Sequence, residues 1–468
     1  NYDFFLDKIR KSEMDLGKLF NALQRLLMVE ISLTEGSDNP QLIFESLNST
    51  GLKLTQTDLV RNYILMGLKP DRQEEIYNKY WYPMEQQFSE MGKGEEFDKF
   101  MRYFLNVQTG NERIVKENVY QEFKAYWENK DSIEDTIEKI QQFSKYYEDL
   151  FFGTFENKEV SRITKNIKDL KADVVYPFLL EVIDDQKNGH ITEPELIEIF
   201  RLVESYVFRR AICDVPTNSM NKTFPVLARE IKKEDYLNSL KFAFQEKDTY
   251  KRFPDDAEFK TRFVVKDVYN FNRCRYLLRK LENFDRKEIV ETKEYTVEHI
   301  MPQNNNLSQQ WRDDLGENWE EIQKTHLHTI GNLTLTGYNS ELSDKPFQEK
   351  KSIKGGFSES PIRLNKRLAG LEKWNEDEIK KRASELADLA LKIWIYPKLE
   401  PEILKKYEEE IENESELEEP QPKKRYGPWS VRFERGNPEA QRLIKETISK
   451  INSSFDCYGT PYTNWYFF

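Results

Sequence analysis

Residues 295–306 read YTVEHIMPQNNN, and residues 325–339 read THLHTIGNLTLTGYN. Each contains a short β-branched run bounded by Pro, Asn or Gly, which is typical of a strand. Together they hold three of the four histidines in a chain of 468 residues. Neutral imidazole is the usual general base and a common metal ligand near neutral pH. The two stretches therefore predict a pair of strands that carries a functional site.

The residues after the second stretch favour helices. A helix is predicted over 340–354 despite Pro346, because proline fits the first turn of a helix that begins near Ser343 or Asp344. Residues 376–395, EDEIKKRASELADLALKIWI, repeat apolar side chains at helical spacing and predict an amphipathic helix. The order strand, strand, helix is therefore expected around the histidines.

The rest of the chain predicts a helix-rich protein. From about residue 72 to 285, aromatic and aliphatic residues recur at helical spacing, with turn signals between segments and no fixed repeat. No apolar run approaches the roughly 20 residues needed to span a membrane. The three cysteines are far apart, so the sequence predicts neither a disulfide framework nor a thiolate zinc site. This cysteine usage favours a reducing, cytoplasmic location.

Charge is unevenly distributed along the chain. The net charge of −12 argues against non-specific binding to nucleic acid, which needs clustered Lys and Arg. Residues 408–419 carry eight Glu and no basic residue, whereas residues 343–367 carry seven Lys or Arg against three acids. The acidic run and its prolines predict a linker at 398–425, followed by a small basic, aromatic module at 426–468.

These patterns predict an α+β protein that is predominantly α-helical. The expected order is an N-terminal piece at 1–70, a helical connector at 71–285 and a ββα domain with the histidines at 286–397. The acidic linker and a small C-terminal α/β module follow. The chain is long enough for several domains of this size.

The residue types around the strands suit the hydrolysis of a phosphodiester. That reaction needs a base to activate water and a divalent cation on the scissile phosphate, both held rigidly. His299, at the end of the first strand, is the candidate base, and Asn332 is expected to tie the loop that holds it. Asn339 and Glu298 are candidate ligands of Mg²⁺ or Mn²⁺, because hard cations prefer oxygen. The candidate DNA contacts are Lys345, Lys350, Lys351 and His328, the last of which has packing against its neighbours as the alternative.

The same segments resemble a known family. EHIMPQ (298–303) and HTIGNLTLTGYNSELSDKPFQEKK (328–351) look like the nuclease domain of GmrSD-type modification-dependent (type IV) restriction enzymes, an HNH or ββα-metal nuclease. Upstream, IFESLNSTGLKLTQTDLVRNYIL (43–65) is similar to the end of that family's ParB-like nucleotide-hydrolysing domain. Residues 179–222 resemble its helical connector, and the resemblance extends over about residues 40 to 396.

The resemblance implies a DNA endonuclease of a phage-defence system that cuts modified DNA with Mg²⁺ or Mn²⁺. Its catalytic set would be His299, Asn332 and Asn339. The family's Asp-Gly-Gln-Arg-type motif does not occur in this sequence, so we expect NTP dependence only in a longer protein and assign no nucleotide-binding residue. Whether the chain forms a homo-oligomer stays open. So does a second interpretation, a DNA-binding fragment that needs its missing NTPase half for cleavage.

A calcium loop is the competing interpretation of residues 184–195, DDQKNGHITEPE. Asp184, Gln186, Asn188 and Glu195 stand at positions of ligands in an EF-hand, which would make the chain a calcium-regulated helical scaffold. A connection between two helices explains the same residues without a metal. Only two of those ligands are carboxylates, which weakens the calcium interpretation.

Three further features allow two interpretations each. The turn SLNSTG at 46–51 either connects helices or cradles a phosphate, and the helix after it is capped by Thr55 or Thr57. Arg209 and Arg210 either reach DNA or form ion pairs. The aromatic residues of the module at 426–468 either stack on bases or form a core.

Overall fold

A computed structural model of the protein describes residues 2–11, 15–27, 54–92, 94–130 and 132–417. Two features named above, the turn at 46–51 and the module at 426–468, lie outside these residues. The chain divides into two units, residues 1–398 and residues 399–468, and each is described by itself.

Helices account for most of the described chain, and the predicted fold class, α+β and predominantly α-helical, is confirmed. A π-helical turn at Tyr77–Trp81 joins the fourth helix to the fifth. The elements, in chain order, are α1 (Tyr2–Lys11), α2 (Leu16–Leu23), α3 (Gln56–Met66), α4 (Pro70–Ile76), α5 (Tyr82–Met91), α6 (Gly94–Thr109), α7 (Val119–Trp127), α8 (Ile133–Phe152), α9 (Lys158–Asp169), α10 (Tyr176–Lys187), α11 (Glu193–Ile212), α12 (Met220–Leu227), α13 (Tyr236–Gln245), α14 (Asp256–Val265), α15 (Cys274–Asn283), β1 (Thr296–His299), α16 (Gln309–Leu315), α17 (Trp319–His326), β2 (Leu333–Thr336), α18 (Asn339–Leu342), α19 (Phe347–Ser352), α20 (Arg363–Ala369), α21 (Glu376–Ile393) and α22 (Pro401–Leu417).

Helix α8 shows how local sequence sets these elements. It begins after Ser132, whose hydroxyl accepts a hydrogen bond from the backbone N–H of Asp135. Its buried residues recur at helical spacing, among them Ile137, Ile140 and Tyr147. It ends at Gly153, whose φ of 66° is left-handed and therefore favours glycine. The apolar residues at helical spacing thus form one buried face of α8, and a capping residue ends the helix on each side.

Helix α3 begins at the cap predicted from sequence. Thr55 is the N-cap: its hydroxyl accepts from the backbone N–H of Asp58, and the Asp58 carboxylate accepts from the backbone N–H of Thr55. The other candidate, Thr57, is buried and its hydroxyl donates to Asp98 of α6. One threonine therefore starts the helix and the other fastens it to a neighbour.

Residues 184–195 form a connection between two helices, and the calcium-loop interpretation is wrong for this structure. Asp184 and Gln186 lie inside α10, where helical geometry prevents them from curling around an ion. Gly189, with φ of 82°, makes the turn. The Glu195 carboxylate accepts from the backbone N–H and the hydroxyl of Thr192, forming the capping box of α11.

The two consecutive arginines of α11 are structural. Arg209 and Arg210 are 0% and 1% exposed, so neither side chain reaches a DNA surface. Arg209 forms an ion pair with Asp256 at 2.7 Å and donates to the carbonyls of Trp394 and Pro254. Arg210 instead donates to two backbone carbonyls and a serine hydroxyl. The ion-pair interpretation therefore holds for Arg209.

One hydrophobic core runs from the helices into the strands. It includes Leu333 and Leu335 of β2 as well as the aromatic residues of α6 to α11. Trp394, just after α21, stacks on Phe208 of α11 with ring centroids 4.0 Å apart. A smaller core holds Ile300 and other residues that follow β1. The boundary at 285/286 remains a sequence prediction.

The strands are antiparallel, with Thr296 opposite Thr336 and His299 opposite Leu333. After β2 the predicted helix over 340–354 is divided into α18 and α19. The break occurs at Ser343, whose φ of 41° is left-handed, and Pro346 precedes the second helix as its N-cap. Proline disfavours helical backbone at the residue before it, here Lys345, so a helix cannot continue through that residue into Pro346.

The remaining predicted helix, over 376–395, appears as α21. Asn375 caps it by accepting from the backbone N–H of Glu378. In the second unit, the first part of the acidic segment forms α22, which the sequence analysis did not foresee. Its Lys405–Glu409 and Lys406–Glu410 pairs are spaced to support a helix. Within the described residues, no helix is both long and apolar enough to cross a membrane.

Candidate functional site

The candidate base lies at the last position of β1. His299 is 5% exposed, and the pairing of β1 with β2 fixes its backbone opposite Leu333. Burial of an imidazole favours its neutral form, which is the form a general base needs.

Asn332, in the short turn before β2, is completely buried and uses its whole side-chain amide. Its Oδ1 accepts from the backbone N–H of Met301 at 2.8 Å and from Trp374 Nε1 at 3.1 Å. Its Nδ2 donates to the carbonyls of Met301 and Leu327, both at 3.0 Å. These bonds fix the chain two residues after His299. Asn332 therefore positions backbone and does not line the pocket beside the base.

The same turn is held from the other side by α21. Arg382 is 2% exposed and donates to the carbonyls of Ile330 and Gly331 at 2.9 and 2.8 Å. Burial lowers its pKa to about 9. At Gly331 a Cβ would come within 2.5 Å of the Ile379 carbonyl, so only glycine allows the helix to approach this closely. This support was not predicted from the sequence.

Glu298 and Lys350 form a buried ion pair under the strand. Lys350 Nζ lies 2.6 Å from Glu298 Oε1 and 2.8 Å from the His299 carbonyl, and the side chains are 0% and 3% exposed. Burial raises the pKa of Glu298 and lowers that of Lys350, while each partner opposes the shift of the other. We assign the charged pair, since the ammonium also binds a carbonyl. Lys350 thus holds the backbone of the base.

The predicted DNA contacts are therefore not equivalent. Lys350 has no exposed surface for a phosphate, and its assignment as a DNA contact is corrected to a structural role. Lys351 is half-buried and donates to the carbonyl of Leu371. Lys345 is also half-buried, but its side chain is 40% exposed and its ion pair to Glu349, at 3.4 Å, is screened by water. Of the three lysines, Lys345 alone keeps the exposed ammonium that a phosphate contact requires.

His328 lies directly beside the candidate base. Its Nδ1 is 3.1 Å from Nε2 of His299, and the two rings meet edge to face. Tyr269 contacts both: its ring stacks on His328 with centroids 5.2 Å apart and lies 4.4 Å from the ring of His299. Tyr269 lies in the predicted helical connector, and no feature of the sequence connects it with the histidines.

A cavity of about 300 Å³ opens beside His299. Asn339, at the start of α18, stands in its wall and donates through Nδ2 to the carbonyl of Val297. Glu298 also reaches this wall, although Lys350 occupies its Oε1. The lining consists of Tyr269, Val297, Glu298, His299, Pro302, Gln303, Asn304, Asn339, Ser343 and Asp344. The wall is rich in carboxylate, amide and hydroxyl oxygens.

Electrostatics keep the base neutral and one carboxylate charged. Burial, followed by the nearby His328 and Lys350, lowers the pKa of His299 to about 3, against the opposing charge of Asp267. The Asn304 amide lowers the pKa of Asp344 by a hydrogen bond. At neutral pH the pocket therefore presents an unprotonated imidazole and a carboxylate.

The donor set of the pocket suits a hard divalent cation. Among the described residues, no group of three or more His, Cys, Asp or Glu is placed to hold a metal ion. Mg²⁺ needs fewer protein ligands, since it keeps several waters and shares its coordination between one or two carboxylates and a substrate phosphate. Glu298, Asn339 and Asp344 supply oxygens of that kind in one wall.

Two strands, a loop tied by an asparagine and a short helix thus surround a neutral histidine and an oxygen-rich pocket. Residues 253–389 match the family model for the C-terminal domain of GmrSD restriction endonucleases. The resemblance predicted from sequence is confirmed over these residues. No curated protein matches the chain. The match begins at residue 253, well before the predicted domain start at 286, and so includes Tyr269.

Sequence reasoning missed the residues that reach the site from other elements. Asp267 and Tyr269 belong to a polar loop after α14, and Arg382 belongs to an ordinary amphipathic helix. Lys350 carries no mark that separates it from the exposed lysines around it. The one available signal was the resemblance of residues 328–351 to the family's nuclease domain. This resemblance includes Lys350 but does not give its role.

Proposed function

We propose that this protein is a metal-dependent DNA endonuclease of the HNH type, with His299 as its general base. The carrying observation is an imidazole, 5% exposed, held at a strand end beside a pocket lined by carboxylate and amide side chains. The match to restriction endonucleases over residues 253–389 supports DNA as the substrate. Cutting of modified phage DNA in the cytoplasm is the biological role that this family suggests.

In the proposed reaction His299 removes a proton from water, whose oxygen attacks phosphorus as the bond to the leaving oxygen breaks. His299 starts neutral and ends protonated. Lys350 holds the carbonyl of His299 and Asn332 holds the backbone of Met301, which fixes the chain that carries the imidazole. Because the base is already held in place, less entropy is lost when the base and the water come together in the reaction.

Glu298 and Asn339, with Asp344 as a further donor, would hold Mg²⁺ or Mn²⁺. When bound, the ion polarises the scissile phosphate and stabilises charge on the leaving oxygen. Lys345 extends its ammonium from the residues that follow α18 and is the lysine we propose for a phosphate contact. Each of these assignments uses a residue that lines the pocket or is exposed near it.

The test compares the protein with His299→Ala on supercoiled plasmid and on modified phage DNA, with Mg²⁺, Mn²⁺ or EDTA. We expect cleavage by the unaltered protein with either metal and a loss of roughly 10²–10⁴-fold in the variant, the usual contribution of a positioned base. His326→Ala is the matched control, because His326 lies at the end of α17 and contacts Glu376 rather than the pocket. Equal cleavage by all three proteins would refute the assignment of the base.

DNA binding without cleavage is the second candidate. The observation in its favour is that the described residues contain no cluster of three ligating side chains. It predicts a gel shift with DNA and intact DNA under every divalent cation. Cleavage that appears with Mg²⁺ or Mn²⁺ and disappears with EDTA would exclude it.

A further inference from the structure

The contact between the two histidines determines which nitrogen of the base is available. His299 Nε2 and His328 Nδ1 are 3.1 Å apart, so one carries the hydrogen and the other accepts it. If His299 donates from Nε2, its Nδ1 keeps a lone pair that can take a proton. If His328 donates instead, His299 Nε2 is occupied and its Nδ1 carries the hydrogen, which leaves no basic nitrogen.

The chemistry of imidazole favours donation by His299. A free histidine side chain carries its proton mainly on Nε2, and donation from His299 Nε2 to His328 Nδ1 leaves both residues in that common form. The opposite direction requires the less common Nδ1–H form in both. Asp267, which lies close enough to interact electrostatically with both rings, also stabilises a positive charge that forms on His299.

His328 is itself held in place from a distant part of the chain. Its carbonyl accepts from the backbone N–H groups of Val268 and Tyr269, at 2.8 and 3.3 Å. The Tyr269 ring stacks on its imidazole with an interplanar angle of 12°. The loop after α14 therefore fixes both the backbone and the ring of His328, and through it the ring of His299.

We propose that His328 is the positioning residue of the base: its Nδ1 accepts the Nε2–H of His299 and leaves Nδ1 of His299 to take the proton from water. This inference rests on the proposed nuclease function. Tyr269 and the loop around it then belong to the site, so the part of the chain that forms the site begins before β1. When His299 becomes protonated, its Nε2–H bond to His328 persists, and the charge remains stabilised by Asp267.

Two substitutions at His328 separate positioning from packing. In His328→Asn the Oδ1 atom stands at the branch position of the imidazole Nδ1 and keeps an acceptor, whereas His328→Leu fills similar space without one. We expect His328→Leu to lower kcat by roughly 10²–10⁴-fold with little change in KM, as removal of the orienting partner does in a catalytic triad. His328→Asn should remain roughly ten-fold or more above His328→Leu. Equal loss in both variants, with equal thermal stability, would overturn the proposal, and His326→Ala is again the control.

The direction of the hydrogen bond can be read without any activity. The chain has four histidines, so selective ¹⁵N-histidine labelling gives a spectrum that substitutions can assign. We expect His299 to show a protonated Nε2 and a bare Nδ1, and to lose this fixed form in His328→Leu. A protonated Nδ1 on His299 would overturn the proposal whether or not the protein cuts DNA. If the protein cuts no DNA but shows the Nε2–H form, the nuclease assignment fails while the pairing of the histidines stands.

Discussion

Two regions of this molecule carry motif-like sequences, and their side chains are used in opposite ways. In residues 184–195 the groups that make the turn bond locally: Glu195 caps its own helix at Thr192, and the backbone N–H of Gly189 donates to the carbonyl of Gln186. Around His299 the polar groups come from elements far apart in sequence. Glu298 meets a lysine 52 residues later, and His299 meets a histidine 29 residues later.

Whether a motif forms a site depends on where its side chains find their hydrogen-bond partners. Ligands on consecutive helical residues point in directions fixed by the helix, and local caps take their hydrogen bonds first. Side chains from separate elements converge only when packing forces them together, and then they are buried with few alternative partners. The polar side chains of the histidine region therefore form buried pairs. Substitutions in those pairs should lower the free energy of unfolding more than substitutions in the turn at 184–195.

The largest expected effect comes from Lys350→Met. This change leaves the Glu298 carboxylate buried without its partner, which typically costs about 3–5 kcal/mol of the free energy of unfolding. Denaturant unfolding measures the loss. Lys351→Met is the matched control, because Lys351 is half-buried and makes a single bond to the Leu371 carbonyl, worth about 1 kcal/mol.

The double variant Glu298→Leu/Lys350→Met removes both charges and should recover most of the stability lost in the single variant. If the single variant were as stable as the unaltered protein, the ion pair would not hold this strand. Buried pairs around His299 would then contribute no more to stability than the local bonds at 184–195.

Glu181, one turn before Asp184 in α10, gives the next effect. Burial and the neighbouring Asp185 raise its pKa to about 7, against the opposing effect of Lys233. A carboxyl whose pKa is higher in the folded than in the unfolded state stabilises the fold at low pH, and this contribution is lost as pH rises from about 4.5 to about 7. Glu181→Gln should therefore be more stable than the unaltered protein at pH 8, by up to about 3 kcal/mol.

Thermal unfolding of both proteins from acidic to mildly alkaline pH checks this. The stability difference should grow through the window from about 4.5 to about 7 and then become constant. A difference that does not vary with pH would show that Glu181 titrates normally.

A smaller effect is expected beside the pocket. Gly355 has φ of 76°, and a Cβ there would lie 2.6 Å from the ring of Tyr338, the residue before Asn339. Gly355→Ala should cost about 2 kcal/mol through backbone strain and displacement of that ring. Gly337→Ala, where a Cβ would contact nothing within 4 Å, is the control. Equal melting temperatures for the two variants would contradict the expectation.

The smallest effects are expected in the turn at 184–195. Thr192→Ala removes the capping hydroxyl of α11 and should cost about 1 kcal/mol, the same with and without calcium. Titration calorimetry with calcium should give no binding heat for the unaltered protein or for Asp184→Ala. Calcium binding that disappears in Asp184→Ala would restore the interpretation corrected above.

Much of the local structure was predictable because it depends on short-range chemistry. The strands around His299 and Leu333, the Thr55 cap and the amphipathic helix α21 all follow from β-branched runs, capping residues and helical spacing. The division of the predicted helix after β2 was missed, although Pro346 contains its cause. Proline acts on the residue before it, and this effect outweighed the helical pattern.

His299, Asn332 and Asn339 are predicted from sequence as one block, because two short strands and a following helix can be recognised from β-branched runs and turn residues. Tertiary packing alone buries Lys350 against Glu298 and brings Tyr269 and His328 to the imidazole of His299. Burial and pairing depend on which distant elements pack together, and this is not encoded in the residue type. A lysine or tyrosine has the same letter on the surface and in the core, and its partners 30 or more residues away determine what it does.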